Sequence, residues 1–164
     1  ALVQYPELQQ QTFTVCNSDN LYSPRAFGLM FNAPFSNGLA AYDREGLAFE
    51  ASRIEQFAVI QFDEDNTIQD ILEKPTPEQI ARVAQIDGTV RVNMNLFRLQ
   101  YDQILPFLRD APLHPSRLEK ELPRCVVAMA QHPEFSLHTV PLCEHVPDLT
   151  SQTDIQVVMD YLES

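Results

Sequence analysis

Apolar and polar positions alternate over residues 12–17 (TFTVCN), and the run stops at Ser18, Asp19 and Asn20. This pattern predicts a strand ending in a polar loop. Ser23 and Pro24 then open a stretch with Ala26, Phe27, Met30 and Phe31 at helical spacing; a Ser cap with Pro in the first turn predicts a helix start. Residues 37–42 (NGLAAY), 57–62 (FAVIQF) and 67–72 (TIQDIL) read as strands, the last two joined as a hairpin through a four-residue polar loop at 63–66. Pro75 and Pro77 end that hairpin. Residues 78–86 read as a helix with Ile80, Val83 and Ala84 on one face, broken at Gly88. Residues 90–99 (VRVNMNLFRL) predict a long strand, 101–108 a helix, 119–130 a helix that Pro123 pushes to a start near Leu122, and 136–142 a strand. Residues 153–162 predict a closing helix with Ile155, Val158, Met159 and Leu162 on one face. Residues 1–11 are polar, end in a Gln run and read as the tail of a helix or an edge of the chain.

Strands and helices alternate with one hairpin in the middle, which predicts an α/β layered fold rather than a barrel or bundle. No repeat, low-complexity stretch or linker interrupts the chain, so it reads as one domain or part of one. At 164 residues and 45% hydrophobic it has enough apolar material for a core. No apolar run approaches a membrane span, and the start does not read as a secretory signal. A net charge of −12 argues against nucleic-acid or anionic-membrane partners. It leaves a phosphate ligand open, because a metal ion or a few lysines invert the local field. Cys16, Cys125 and Cys143 are too few and too widely spaced for a disulfide framework or a zinc site. Cys16 and Cys125 read as small buried hydrophobes, and a cytoplasmic location is expected. His114, His132, His138 and His145 are scattered and are expected at surface or loop positions.

Three short segments carry candidate chemistry. Asp19 and Asn20 follow the end of an apolar strand, the edge where open α/β sheets bind ligands. A carboxylate there suits Mg²⁺; the plainer reading is a turn and helix-cap cluster. Glu73, Lys74 and Pro75 follow another strand. Lys74 suits a phosphate and Glu73 sugar hydroxyls, the plainer reading being an exposed ion pair before a proline turn. Asp148 precedes the last helix, where Thr150 or Ser151 could serve as cap and Asp148 as a favourable charge at the N-terminus.

The order S-D-N, then E-K-P, then D-L-T-S-Q-T-D-I resembles the sugar-1-phosphate nucleotidyltransferase family. Its members join a nucleoside triphosphate to a sugar 1-phosphate, giving a nucleoside-diphosphate sugar and pyrophosphate. The segment from Asn17 to Asn20 is similar to the family's G-D-N, with Ser18 in place of Gly. The resemblance therefore implies a catalytic Mg²⁺ on Asp19. Glu73, Lys74 and Pro75 match E-K-P, which implies Glu73 on the sugar and Lys74 on its phosphate. Asn95 stands where a pocket-lining Gly is usual. Glu119 and Glu121 lie in a segment similar to E-x-E-L, also facing the sugar. The segment opening at Asp148 resembles D-x-G-T-P-E-D-L, with Thr150 and Gln152 replacing Gly and Pro. It implies Asp148 as second metal ligand, while Asp154 reads as a first-turn helix residue. The implied fold is part of a Rossmann-like layered nucleotidyltransferase (GT-A-like) domain with a mixed sheet.

With only 4 glycines, nothing matches the family's G-x-G-T-R-type loop for the triphosphate. Residues 1–164 are thus expected to form a single partial domain, the C-terminal portion of a nucleotidyltransferase, inactive alone. Its expected partners are a sugar 1-phosphate and a nucleoside triphosphate, the latter at an incomplete site. Self-association through an exposed sheet edge is also expected. A metal-dependent glycosyltransferase and a non-catalytic regulatory or interaction domain of the same fold are the alternatives.

Overall fold

The computed structural model describes residues 2–150, 152 and 154–163. Its organising element is the ten-residue strand β5 (Arg91–Gln100), fifth in a series with β1 (Thr12–Cys16), β2 (Gly38–Asp43), β3 (Val59–Phe62), β4 (Ile68–Leu72) and β6 (His138–Leu142). One edge of β5 is lined antiparallel by β2, with β6 parallel beyond it. The other edge is shared. β1 pairs antiparallel with positions 96–100, while β3 reaches it at Val59 opposite Val92, with β4 outside as the hairpin partner. The sheet is therefore mixed, in the order β4-β3-β5-β2-β6, with β1 joined to β5. Its two outer ends meet at a bridge between Thr67 and His138.

A local conformation separates β1 from the hairpin. Asn95 sits at φ +58°, a left-handed geometry that asparagine tolerates better than most residues because its side chain bonds locally. Asn93 secures it: the Asn95 N–H donates to Asn93 Oδ1, and Asn93 Nδ2 donates to Asn95 Oδ1, both at 2.9 Å. The pairing of β2 with β5 slips there, from Leu39 opposite Phe97 to Ala41 opposite Asn93. This is a β-bulge, which bends a strand and ends regular pairing.

The helices are α1 (Pro24–Asn32), α2 (Ala51–Ile54), α3 (Pro77–Ala84), α4 (Tyr101–Asp110), α5 (Leu122–Ala130) and α6 (Asp154–Glu163). α1 begins as expected, with Ser23 Oγ accepting from the Ala26 N–H at 2.9 Å. α3 opens with a capping box between Thr76 and Gln79. Leu39, Ala40, Ala41 and Tyr42 of β2 are all fully buried, the mark of a strand covered on both faces. The core continues through Val92, Leu96, Phe97 and Leu99 to Ile104 of α4 and Val126 and Met129 of α5.

Expected elements are found within a few residues of their predicted ends, with five departures. The four-residue helix α2 was not expected; it has no apolar periodicity to announce it. Cys16 is exposed, not buried, because it ends β1 on the face it shares with exposed Thr14; Cys125 is buried as expected. α6 buries none of its residues, and Ile155, Met159 and Leu162 are exposed, since no described element covers that face. His114, His132 and His145 lie between elements as expected, whereas His138 opens β6. Residues 2–8 form two 3-10 turns, not a helix tail. Ser151 and Thr153, expected at the start of the last helix, lie outside the described residues. No helix among the described residues is long and apolar enough to cross a membrane.

Candidate functional site

The gap on the shared edge of β5 is where the site lies. Between the end of β1 and Ala58, just ahead of β3, positions 93–95 are flanked by a cleft of about 700 Å³. Its walls are Cys16 and Asn17 from the end of β1, Phe57 and Ala58, Asn93 and Asn95 of the bulge, Glu73 and Lys74 after β4, and the segment from His114 to Arg124. Five of the sequence-derived site residues thus converge: Glu73, Lys74, Asn95, Glu119 and Glu121.

The approach to Lys74 is tightly fixed. β4 ends at Leu72, Lys74 takes φ +48°, and Pro75 leads into the Thr76 cap of α3. A left-handed residue directly before proline is an uncommon conformation, retained only where its surroundings hold it. Among the described residues, neither the Glu73 carboxylate nor the Lys74 ammonium has a hydrogen-bond or ion-pair partner. Both are exposed and present open charges to the cleft.

The opposite wall was only half legible. Glu121 is half-buried and pairs with Arg117 and with Arg124, the latter at 2.9 Å; Glu119 lies 3.7 Å from Arg117. Lys120 Nζ donates to the carbonyls of Leu108 and Arg109 at the end of α4. Glu121 therefore faces the cleft already neutralised, and Arg117 and Arg124 are site residues that motif matching passed over. Composition held the signal: in a chain of net charge −12, both lysines and two arginines line this one cleft.

Asp19, Asn20 and Asp148 lie outside the lining of this cleft. The backbone nonetheless brings them together. Asn20 bridges Asp148 in antiparallel register, the Leu21 N–H donates to Pro147 C=O at 2.8 Å, and the Leu149 N–H donates to Asp19 C=O at 2.8 Å. Buried Tyr22 anchors this pair by donating to the Met94 carbonyl beside the bulge. Burial pushes its phenol pKa up, and the nearby Asp19 and Asp148 carboxylates add to that.

The carboxylate of Asp148 is committed. Arg53 Nη2 donates to Oδ2 at 2.8 Å, and Thr150 Oγ1 donates to Oδ1 at 2.9 Å. Arg53 Nη1 also holds Asp154 Oδ1 at 3.0 Å. Burial works against the Arg53 charge, but hydrogen bonds to Asp148 and Asp154 outweigh it and raise its pKa. Among the described residues no group of three or more His, Cys, Asp or Glu could hold a metal ion. Mg²⁺ is usually bound by one or two carboxylates. Both Asp148 oxygens carry protein hydrogen bonds, so an ion between Asp19 and Asp148 would share that carboxylate with Arg53.

No family model matches this chain, and no curated protein matches it. Solved structures do. A UDP-glucose pyrophosphorylase complexed with UDP-glucose superposes with a TM-score of 0.68 at 14% identity, over 99% of this chain and 60% of that one. An apo UDP-glucose pyrophosphorylase gives 0.68 at 15%, over 99% and 58%. A protein from Bacillus anthracis assigned as a glucose-1-phosphate thymidylyltransferase, in complex with a sucrose, gives 0.63 at 13%, over 98% and 58%. The chain spans about 60% of the length of these structures. At such low identity the likeness concerns the fold: this chain has the mixed α/β fold of sugar-1-phosphate nucleotidyltransferases, the architecture its motif order implies.

Proposed function

We propose that the cleft beside Asn95 binds a sugar 1-phosphate, and that the protein to which this chain contributes performs nucleotidyl transfer to it. The observation carrying this reading is the pair Glu73 and Lys74, which line the cleft with no protein partner among the described residues. The lysine suits the phosphate as a point charge, and the glutamate suits sugar hydroxyls as an acceptor. Glu119 and the amide of Asn95 add polar groups for the sugar. Arg117 and Arg124 hold Glu121 in place.

In the transfer, a phosphate oxygen of the sugar 1-phosphate attacks the α-phosphorus of the triphosphate. A new P–O bond forms, the bond to the β-phosphate breaks, and pyrophosphate leaves with the electron pair. Lys74 orients the attacking phosphate, and catalysis rests on positioning and on charge neutralisation. A non-catalytic binding module of the same fold is favoured by one observation, the commitment of Asp148 to Arg53. That reading predicts sugar-phosphate binding without release of pyrophosphate from a triphosphate.

Isothermal titration of the chain with glucose 1-phosphate and mannose 1-phosphate tests the binding. A charged hydrogen bond contributes about 1.5–3 kcal/mol, so Lys74→Met should weaken binding by roughly tenfold or more. Equal affinity in the wild type and Lys74→Met, or no binding at all, would remove the proposal.

A further inference from the structure

We propose that Arg53 is a built-in cation that takes the place of a divalent metal at Asp148. This inference is independent of the sugar-phosphate reading, because it concerns a different group of residues and is tested with a metal alone.

Four observations carry it. First, the backbone pairing of Asn20 with Asp148 sets Asp19 and Asp148 on adjoining segments, which brings two acidic residues to one edge. Second, a positive charge is present in the chain. Arg53 reaches from α2 with one nitrogen 2.8 Å from Asp148 and the other 3.0 Å from Asp154, a fork across two carboxylates. Third, the pair is shielded, with the Asp148 and Asp154 side chains only 13% and 16% exposed. Arg53 also lies over the Phe49 ring, 4.7 Å from its centroid. Fourth, Thr150 Oγ1 donates to the other oxygen of Asp148, so both oxygens carry a protein hydrogen bond that a metal would have to share.

Geometry gives the substitution its consequence. Arg53 and Asp148 line a smaller cleft of about 460 Å³ that shares Gln56 and Phe57 with the sugar-phosphate cleft. A guanidinium there supplies one fixed positive charge with directed N–H groups, and it stays protonated across the working pH range. A divalent ion at Asp148 would have to displace Arg53 and leave it beside its own charge in a shielded site, which is costly.

The test is Mn²⁺ titration of the whole chain, with bound ion read from loss of the free-ion electron paramagnetic signal. The wild type and Asp148→Asn should bind Mn²⁺ alike. A loss of roughly tenfold or more in Asp148→Asn, the scale of a lost metal-site contact, would show that Asp148 holds metal despite Arg53 and would overturn the proposal. Arg53→Met should gain about 10- to 100-fold in Mn²⁺ affinity, and the gain should vanish in the Arg53→Met, Asp148→Asn double variant. No gain in an Arg53→Met chain with native circular dichroism would also overturn it. Arg53→Lys keeps the charge and decides the matter if the methionine variant does not fold. It should stay at wild-type affinity, and a gain of roughly tenfold there would refute charge replacement.

Discussion

Replacing Asn95 by alanine or glycine separates the two things this residue does. At φ +58° it holds a left-handed backbone, and its amide accepts from Asn93 Nδ2 at 2.9 Å. Alanine removes the amide and keeps a Cβ in left-handed geometry, a strain of about 1–2 kcal/mol. Glycine removes the amide as well but carries no such strain. Both leave the Asn93 amide, only 7% exposed, without that acceptor, which costs about 1–3 kcal/mol. Asn95→Ala should therefore destabilise the chain by about 2–5 kcal/mol, and Asn95→Gly should be the milder change by about 1–2 kcal/mol. Urea unfolding followed by circular dichroism measures both, with equal m-values required for the comparison. Equal stabilities of the two variants, or a more stable alanine variant, would show that the left-handed bulge is not what shapes this edge of the cleft.

Three further outcomes follow from the same structure. Cys16 is exposed on the cleft wall and Cys143 is exposed, while Cys125 is buried and burial raises its thiol pKa. A thiol reagent should label Cys16 and Cys143 in the folded chain and Cys125 only on unfolding, with glucose 1-phosphate slowing Cys16 alone; labelling of all three at one rate would contradict this. Burial, and then the Arg53 charge, lower the His145 pKa, and its Nδ1 accepts from the Ala48 N–H at 3.2 Å. The folded state thus prefers the neutral ring. The stability this gives is whole above the unfolded pKa of about 6.5 and is lost as pH falls from there towards the lower folded value. His145→Asn should flatten the stability profile just below that pH, and identical slopes would count against the assignment. Tyr22→Phe deprives the Met94 carbonyl of its buried donor, so a loss of about 1–3 kcal/mol is expected in urea unfolding. An unchanged midpoint would mean the phenol does not anchor the Asp19 segment.

Periodicity made the strands and most helices legible, and Ser23 with Pro24 marked the start of α1 through a local cap that their residue types favour. The same alternation would have corrected Cys16: it shares a face with Thr12 and Thr14, and Phe13 and Val15 point the other way. The apolar stripe of α6 was legible as a pattern, yet a pattern cannot say whether another element covers it. In the site, Glu73, Lys74, Asn95, Glu119 and Glu121 were found by motif order and meet at one cleft. The segments of Asp19 and Asp148 adjoin through backbone pairing, a meeting of residues far apart in sequence. Arg53, which holds Asp148, sits on a four-residue helix and meets partners remote in sequence. No local rule reports such a contact.

Amide chemical-shift mapping with glucose 1-phosphate addresses the sugar-phosphate cleft most directly. Binding there predicts that the perturbed amides cluster at Glu73, Lys74, Asn95 and the segment from Glu119 to Glu121, and that Lys74→Met shifts the titration to roughly tenfold or more higher ligand concentration. Perturbations gathered instead around Arg44, Thr89 and Val90, which line a separate cleft, or no perturbation at saturating ligand, would contradict it.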